Sequence, residues 1–594
     1  MKKSTLRRLL SYMSEDYLSL IVVALCMTGG AVCSVRAVYY LKPIINDCLV
    51  PLIGSSDPDY SAFSQMLLKM ALLYLASVVA SVVQSIIMIR VSTGVMYRIR
   101  REMFSKMEHF PLSYFDHNSC GRIMSYYTAD VDALSVMLRQ GIPKIVEGAT
   151  TIVTIFVTIY LINGLLAVLV TVCVLLIVLV LKLLSGNKKT FFRGQQKAMQ
   201  DINAYGEEMI AGRLEVKSFN REEKTEEEFS TLSESLFSNV RKVDFFSNSL
   251  FDFTSGLENL GFAVIAVLGC LMAIRGMADP GTVGLFLQYY KKIITPLTRM
   301  AKQINSVMEA MAGAERVFSF LDLPTEEDDG KVTLEISDSM YWCLESGEKI
   351  PCRGDLVFSH VSFSYVEGER VLHDLSFKAS AGQTVAFVGT TGAGKTTVIN
   401  LLSRFYETEG GTITFDGIDV KKIRKEDLRL AAGTVLQDVH LFSATVAQNI
   451  RFGNASATDD QVHRAAVTAN ADYSISLMKD GYDTFLPNAG ASLSQGERQL
   501  LSIARAAAGT NPVLVLDEAT SSVDSLTEMR VTGALEKIME GKTVLVIAHR
   551  LSTIRNADLI IVLDHGRIAE SGNHETLMEK KGLYHALYTG HEDN

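Results

Sequence analysis

The stretch that decides the fold runs from Thr384 to Leu402 and reads TVAFVGTTGAGKTTVINLL. Its first five residues predict a buried strand, the glycines a turn, and the residues from Lys395 onward the start of a helix. Gly389-Thr390-Thr391-Gly392-Ala393-Gly394-Lys395-Thr396 satisfies the phosphate-binding pattern G-x-x-x-x-G-K-[ST] in full. The glycines allow backbone conformations that turn successive N–H groups toward phosphate oxygens. The helix N-terminus adds the positive end of its dipole. In such a loop Lys395 reaches the β- and γ-phosphates, Thr396 holds Mg²⁺, and Thr397 belongs to the same cradle. The expected ligand is ATP with Mg²⁺.

Downstream, PVLVLDEATSSVD supplies the counterpart from Pro512 to Asp524. Val513 to Leu516 predict a fully apolar strand, so Asp517 emerges at the mouth of a parallel sheet, where ligands of such sheets bind. Asp517 positions Mg²⁺, through water, and Glu518 polarises an attacking water. Helix capping would explain either acid alone, but poorly explains the pair downstream of a phosphate loop.

The chain has 594 residues, too many for one core, and 48% of them are hydrophobic. The long apolar runs fall in the first half, whereas from about Gly354 short strand-like runs alternate with helices. A net charge of −9 argues against a nucleic-acid partner. Eight cysteines occur without a C-x-x-C pair, which suggests neither a zinc site nor a disulfide framework.

Six segments carry the roughly 20 apolar residues that cross a bilayer core: Tyr17 to Tyr40, Met66 to Ile89, Ile142 to Ile162, Leu165 to Leu184, Leu250 to Ile274 and Thr282 to Met300. Asn163-Gly164 turns the third into the fourth. Basic residues cluster after the second span (Arg90, Arg98, Arg100, Arg101) and after the fourth (Lys188, Lys189, Arg193), placing these connections and both termini in the cytoplasm. Lys2, Lys3, Arg7 and Arg8 precede the first span, as in a retained signal anchor rather than a cleaved leader. Both cytoplasmic connections are long, polar and helical in pattern, as expected of helices that continue well past the bilayer. Of the charges within or at the ends of spans (Arg36, Glu147, Glu258, Lys291, Lys292), Glu258 and Lys291 are the leading candidates to line a cavity.

From Asp355 onward the sequence resembles the nucleotide-binding domain of ATP-binding cassette (ABC) proteins. Tyr365 matches the aromatic that stacks on adenine, and Gln437 in VLQDVHLF matches the Q-loop glutamine, a Mg²⁺ ligand. LSQGERQ, from Leu493, matches the signature, Ser521 to Asp524 the D-loop, and His549 in VIAHRLS the switch histidine. The first half is similar to exporters that fuse membrane and nucleotide domains: PLSYFDHNSCGRIMSYYTADVDAL (from Pro111) and GEEMIAGRLEVKSFNRE (from Gly206) match their two intracellular coupling loops. The resemblance implies an α-helical six-span membrane domain over 1–320, a linker over 321–353 and an α/β P-loop ATPase domain over 354–594. Glu518, His549 and Gln437 would be catalytic, and Ser494, Gly496, Asp517 and Asp524 would complete the nucleotide site.

In this family the signature serves the ATP of a second nucleotide domain, so a dimer is implied. The usual L-S-G-G-Q is here Leu493-Ser494-Gln495-Gly496-Glu497, and Asn488 stands where many exporters carry glutamate. Drift without consequence is one reading. The favoured one is a heterodimer of half-transporters, in which this chain gives its phosphate loop, Glu518 and His549 to the competent site and its altered signature to the weaker one. A homodimer is the alternative. The expected role is ATP-driven export of a hydrophobic or amphipathic cargo (drug-like compound, lipid or peptide) across the inner (plasma) membrane. A nucleotide-gated channel or regulatory subunit is the competing function.

Overall fold

The computed structural model describes residues 3–50, 60–184, 188–337, 339–366, 368–436, 439–517, 525–547 and 554–590. The chain divides into two compact units. One holds Met1–Glu108 and Cys120–Leu323; the other holds His109–Ser119 and Pro324–Asn594.

The first unit is helical. Its principal helices are α1 (Lys3–Met13), α2 (Tyr17–Tyr39), α3 (Ser61–Met107), α4 (Ile142–Ile162), α5 (Gly164–Leu184), α6 (Lys188–Ala211), α7 (Glu222–Ile274) and α8 (Pro280–Leu321). At about 1.5 Å per residue, the 47 residues of α3 and the 53 of α7 reach some 70–80 Å, more than twice a bilayer core. Among the described residues four helical stretches are long and apolar enough to span a membrane: Thr5–Leu49, Ser61–Met107, Cys120–Ile162 and Ser255–Ile274. Gly164–Val180 is apolar but shorter, and α8 is not among the four. The polar content of α8 is why: Gln288, Lys291 and Lys292 fall within its apolar stretch. Exposed Leu68, Leu72, Leu75, Val79, Val82 and Ile86 line one length of α3. In a helix whose backbone bonds are satisfied internally, such a surface suits hydrocarbon. Inside, Ile155, Ile159, Leu166, Val170, Phe286 and Tyr289 form a core shared by α4, α5 and α8. Near the other end Asp130 is buried and takes two bonds from Arg316, Nε to Oδ2 at 3.0 Å and Nη2 to Oδ1 at 2.5 Å.

The second unit is α/β. A six-stranded sheet has the order β13-β12-β6-β11-β10-β9: β6 is Thr384–Val388, β9 Ala432–Val435, β10 Val513–Asp517, β11 Thr543–Ile547, β12 Leu559–Asp564 and β13 Arg567–Gly572. All neighbours are parallel except the edge pair of β12 and β13. Period-2 alternation sends Ala386, Val388, Leu514, Leu516, Val544 and Val546 into one core and Val385, Phe387, Val513, Val515, Leu545 and Ile547 into another. Burial on both faces explains why these strands are apolar throughout. An antiparallel sheet, β5-β4-β7-β8, covers the second core with Leu356–Val366 (β4), Glu369–Ala379 (β5), Gly410–Phe415 (β7) and Ile418–Asp419 (β8).

Two segments of this unit depart from the expected domain plan. Within 321–353, expected as a linker, a meander of β1 (Thr333–Ile336), β2 (Met340–Cys343) and β3 (Lys349–Pro351) buries Trp342 completely. Its indole Nε1 donates to Asp416 Oδ2 at 3.0 Å, and the same carboxylate accepts the N–H groups of Arg353, Gly354 and Asp355. His109–Ser119, which overlaps the start of the expected first coupling loop (from Pro111), also belongs to this unit. Glu326 N donates to His109 O at 2.7 Å, and Tyr406 donates to the carboxylate of Asp116, on the short helix Leu112–His117.

Candidate nucleotide site

β6 leaves the sheet beside β11 and β12 and runs into the loop 389–394, which hands over to α9 (Lys395–Leu402). Gly389, Gly392 and Gly394 have φ of +153°, +85° and +97°, a region that suits glycine. Two are also sterically held: a Cβ on Gly389 would lie 2.2 Å from Leu563 O, and one on Gly394 2.7 Å from Leu372 Cδ2. Gly392 faces open space. The loop is therefore pinned at both ends and open at its crest, where Thr390 and Thr391 are exposed, as is Thr396 in the first turn of α9. Ala393 is buried beneath it.

Lys395 is 8% exposed, and its Nζ donates to Gly389 O at 2.7 Å and Thr390 O at 2.9 Å. Burial pushes this ammonium below the usual lysine range, and the negative charge of Asp517 works against that shift. Asp517 ends β10, one strand beyond β11 from the loop, so the loop and the acid share one mouth of the sheet. These features fit ATP with Mg²⁺: a left-handed glycine loop with an open crest, a cation already within it, hydroxyls facing out, and an acid across the mouth. When bound, Mg²⁺ supplies charge neutralisation at the β- and γ-phosphates.

Tyr365, on β4, is 38% exposed and is tied to α9 through its hydroxyl, which lies 3.2 Å from Thr397 Oγ1 and accepts from Asn400 Nδ2 at 3.1 Å. Its ring stands edge-on to Tyr406 at 4.9 Å and to Phe363 at 4.8 Å. The hydroxyl is thus fixed from below and the ring left available. Asn400 and Tyr406, which position it, were not among the residues picked from the sequence. Their signal is spacing: Asn400 is four residues past Thr396, one turn along the same helix.

The signature helix α10 spans Gln495–Ala507, with Ser494 as its N-cap. Ser494 Oγ accepts from Glu497 N at 3.3 Å, while Glu497 Oε2 accepts from Ser494 N at 2.9 Å and from Ser494 Oγ at 2.8 Å. This is a capping box, the S-x-x-E device that satisfies orphan donors at a helix start. Gly496 is buried in the first turn. Gln437, Glu518, Asp524 and His549 lie outside the described residues.

The fold and this mouth define a P-loop ATPase carried on the same chain as an α-helical, membrane-spanning unit. Comparison with known proteins agrees. The ABC transporter transmembrane region family matches residues 20–297, and the ABC transporter family matches residues 372–521. The Bacillus subtilis (strain 168) ABC transporter ATP-binding protein YfiC is 36% identical, covering 99% of this chain and 94% of that protein. A fatty acid ABC transporter ATP-binding/permease protein of Mycobacterium bovis is 35% identical over 90% of this chain and 83% of its own length. A bacterial Atm1-family ABC exporter solved with ATP bound superposes with a TM-score of 0.77 at 25% identity, over 100% of both chains. The chain belongs to the ABC transporters: it is a multi-pass membrane protein whose nucleotide unit binds and hydrolyses ATP.

Proposed function

We propose that this chain is one half of an ATP-driven exporter with six membrane spans, both termini in the cytoplasm, and a hydrophobic or amphipathic cargo moved by alternating access. One observation carries the reading: a membrane unit and a phosphate-loop ATPase unit share a chain, and residues 109–119, which overlap the start of the expected first coupling loop, belong to the ATPase unit. The fatty-acid transporter and the Atm1-family exporter among its relatives support both the direction and the class of cargo. In this scheme Lys395 and Thr396 hold the phosphates and Mg²⁺, with Asp517 and Gln437. Glu518 polarises water, His549 and Asp524 act at the γ-phosphate side, and Tyr365 stacks on adenine. Gly389 through Thr397 form the cradle. Ser494 and Gly496 serve the ATP of a second nucleotide domain, so the working unit is a dimer.

The partner is a second half-transporter, and a heterodimer is favoured. Glu497 puts a carboxylate at the helix end that has to meet a γ-phosphate, and that carboxylate already engages Ser494. Such an end suits a composite site that holds nucleotide without fast turnover.

The test is reconstitution in vesicles with ATP-dependent movement of a fluorescent amphiphile as readout. Lys395→Ala should abolish nucleotide binding and movement together. Glu518→Gln should keep ATP bound but lower hydrolysis by about 10²- to 10⁴-fold, the usual cost of losing a general base. Normal hydrolysis in Glu518→Gln would remove the role given to that residue. ATP-dependent ion current persisting in Glu518→Gln, with no cargo movement in the unsubstituted protein, would replace export by gating.

A further inference from the structure

We propose that the membrane unit carries a cationic headgroup site, centred on Lys292 between α2, α3 and α8, and that the cargo is an acidic amphiphile bearing a carboxylate or phosphate. This rests on the export reading above and narrows its cargo class. Lys292, twelve residues into α8, is half-buried. Its Nζ donates to Ser34 Oγ at 2.6 Å and Ser34 O at 2.9 Å, and lies 5.6 Å from the centre of the Tyr74 ring. A lysine near a span end normally extends toward the headgroups. This one is turned inward, onto the backbone of an apolar membrane-length helix. Tyr289, one turn earlier on α8, is fully buried and donates to Val35 O at 3.0 Å, locking α8 against α2 at this level. Two residues past Ser34, Arg36 is exposed and lies over the Tyr39 ring at 4.7 Å.

The anomaly is the missing counter-charge. No Asp or Glu occurs in 17–39, in 61–101 or in 280–308, the three helical stretches that contact the ammonium or carry it; Glu147 on α4 and Glu258 on α7, helices that also pack on α8, form no ion pair with it. Among the described residues neither Lys292 nor Arg36 forms an ion pair, and neither does Lys291, which is exposed over the Phe262 ring at 4.7 Å. Charges inside a membrane domain ordinarily pair with one another or with backbone carbonyls, or mark the path of a transported species; Lys292 has the Ser34 carbonyl but no acid. An ammonium held between helices without an acid as partner selects an anion from outside the protein. The surrounding tyrosines and apolar helices suit the chain attached to it. A purely structural lysine strut between α2 and α8 would account for the Ser34 bonds, but not for the absence of acids from all three helices.

The experiment uses the full-length protein, with its partner half where one is required, in phosphatidylcholine vesicles. ATP-dependent movement is followed for a fluorescent long-chain carboxylic acid, the alkyl phosphate of the same chain, and the corresponding alcohol. The acid or the phosphate should saturate at a concentration about ten- to a hundredfold below the alcohol, the usual worth of a charge-assisted bond. Lys292→Gln should erase that preference, and Lys292→Arg should retain it. The acid-to-alcohol ratio is measured on unsubstituted protein, so a variant that fails to fold cannot decide the matter. Equal handling of acid, phosphate and alcohol, or an unchanged preference in folded Lys292→Gln, would overturn the site while leaving export intact. Failure to move any amphiphile, charged or neutral, would strike the export reading itself.

Discussion

Glu497 is where a single carboxylate sets folding against function. Substituting Gln keeps an oxygen for Ser494 N and Oγ, which now sit 2.9 and 2.8 Å from Glu497 Oε2, so the capping box survives. What is lost is a negative charge in the first turn of α10, worth about 0.3–1 kcal/mol against the helix dipole. Ser494→Ala removes the cap itself and costs about 1 kcal/mol. At about 2–4 °C per kcal/mol for a unit of this size, both shifts in thermal midpoint are small, with Ser494→Ala the larger. Nucleotide retention should separate them in opposite directions. A carboxylate about 5–10 Å from a γ-phosphate, at an effective dielectric near 20, costs roughly 2–3 kcal/mol per unit charge. Glu497→Gln should therefore lower the ATP concentration for half-maximal trapping at least about tenfold, whereas Ser494→Ala should raise it. Trapping is best measured in a Glu518→Gln background, where turnover does not drain the site. In a heterodimer the bulk hydrolysis rate barely changes with Glu497→Gln, because the altered signature serves the slower site; in a homodimer both sites respond. Trapping that stays flat or weakens in Glu497→Gln would show that the carboxylate does not oppose phosphate.

Two further outcomes are expected. Glu326 receives Arg429 Nη2 at 2.6 Å and Lys425 Nζ at 3.1 Å; burial pushes its carboxyl up, but these cations more than offset that and hold it below the ordinary glutamate range. A depressed carboxyl stabilises above its unfolded pKa of about 4.3 and loses that contribution as pH falls through the folded value, so Glu326→Gln should lower the thermal midpoint at neutral pH, with the gap to the unsubstituted protein narrowing as pH falls below about 4; a gap that does not narrow in acid would refute the ion-pair account. In a cysteine-free background, Cys in place of the exposed Met277 should react with a membrane-impermeant thiol reagent on intact cells, and Cys in place of the exposed Glu215 only after permeabilisation; reversed labelling would invert the proposed topology.

The nucleotide site was legible where sequence pattern and backbone geometry are the same information. Gly389 and Gly394 occupy places where a Cβ meets Leu563 O or Leu372, so the spacing of the motif is the shape of the loop. The apolar strands β6, β10 and β11 were legible because burial on both faces leaves no polar position. Other features needed coordinates. Ser494 and Glu497 carry the S-x-x-E capping spacing, but comparison with L-S-G-G-Q draws attention to a lost glutamine and away from a gained cap. In 321–353 the alternation around Trp342 covers only three or four residues per strand, too short to distinguish from a tether until Asp416 arrives from 74 residues away. Lys291 and Lys292 are neighbours in sequence but 100° apart around a helix. Which one turns toward Ser34 depends on the rotation of α8, and the weight first given to Lys291 passes to Lys292.

The chain order of the two units bears on coupling. His109–Ser119 belongs to the ATPase unit while Glu108 and Cys120 on either side belong to the membrane unit, so the units are joined covalently at three places rather than one. A single tether after Leu323 would let the ATPase unit shift while the helices stayed where they were. The segment held by Tyr406 and Glu326 is bounded in the chain by the end of α3 at Met107 and by the helical stretch that begins at Cys120. α3 is one uninterrupted helix of 47 residues, so its end at Met107 and its apolar length belong to a single element. Tyr406 meets Tyr365 on one side and Asp116 on the other, so the ring expected to sense adenine and the segment between the two helical stretches share a contact residue. Tyr406→Phe keeps the ring packing and removes only the bond to Asp116, which makes it the substitution that separates nucleotide binding from its transmission.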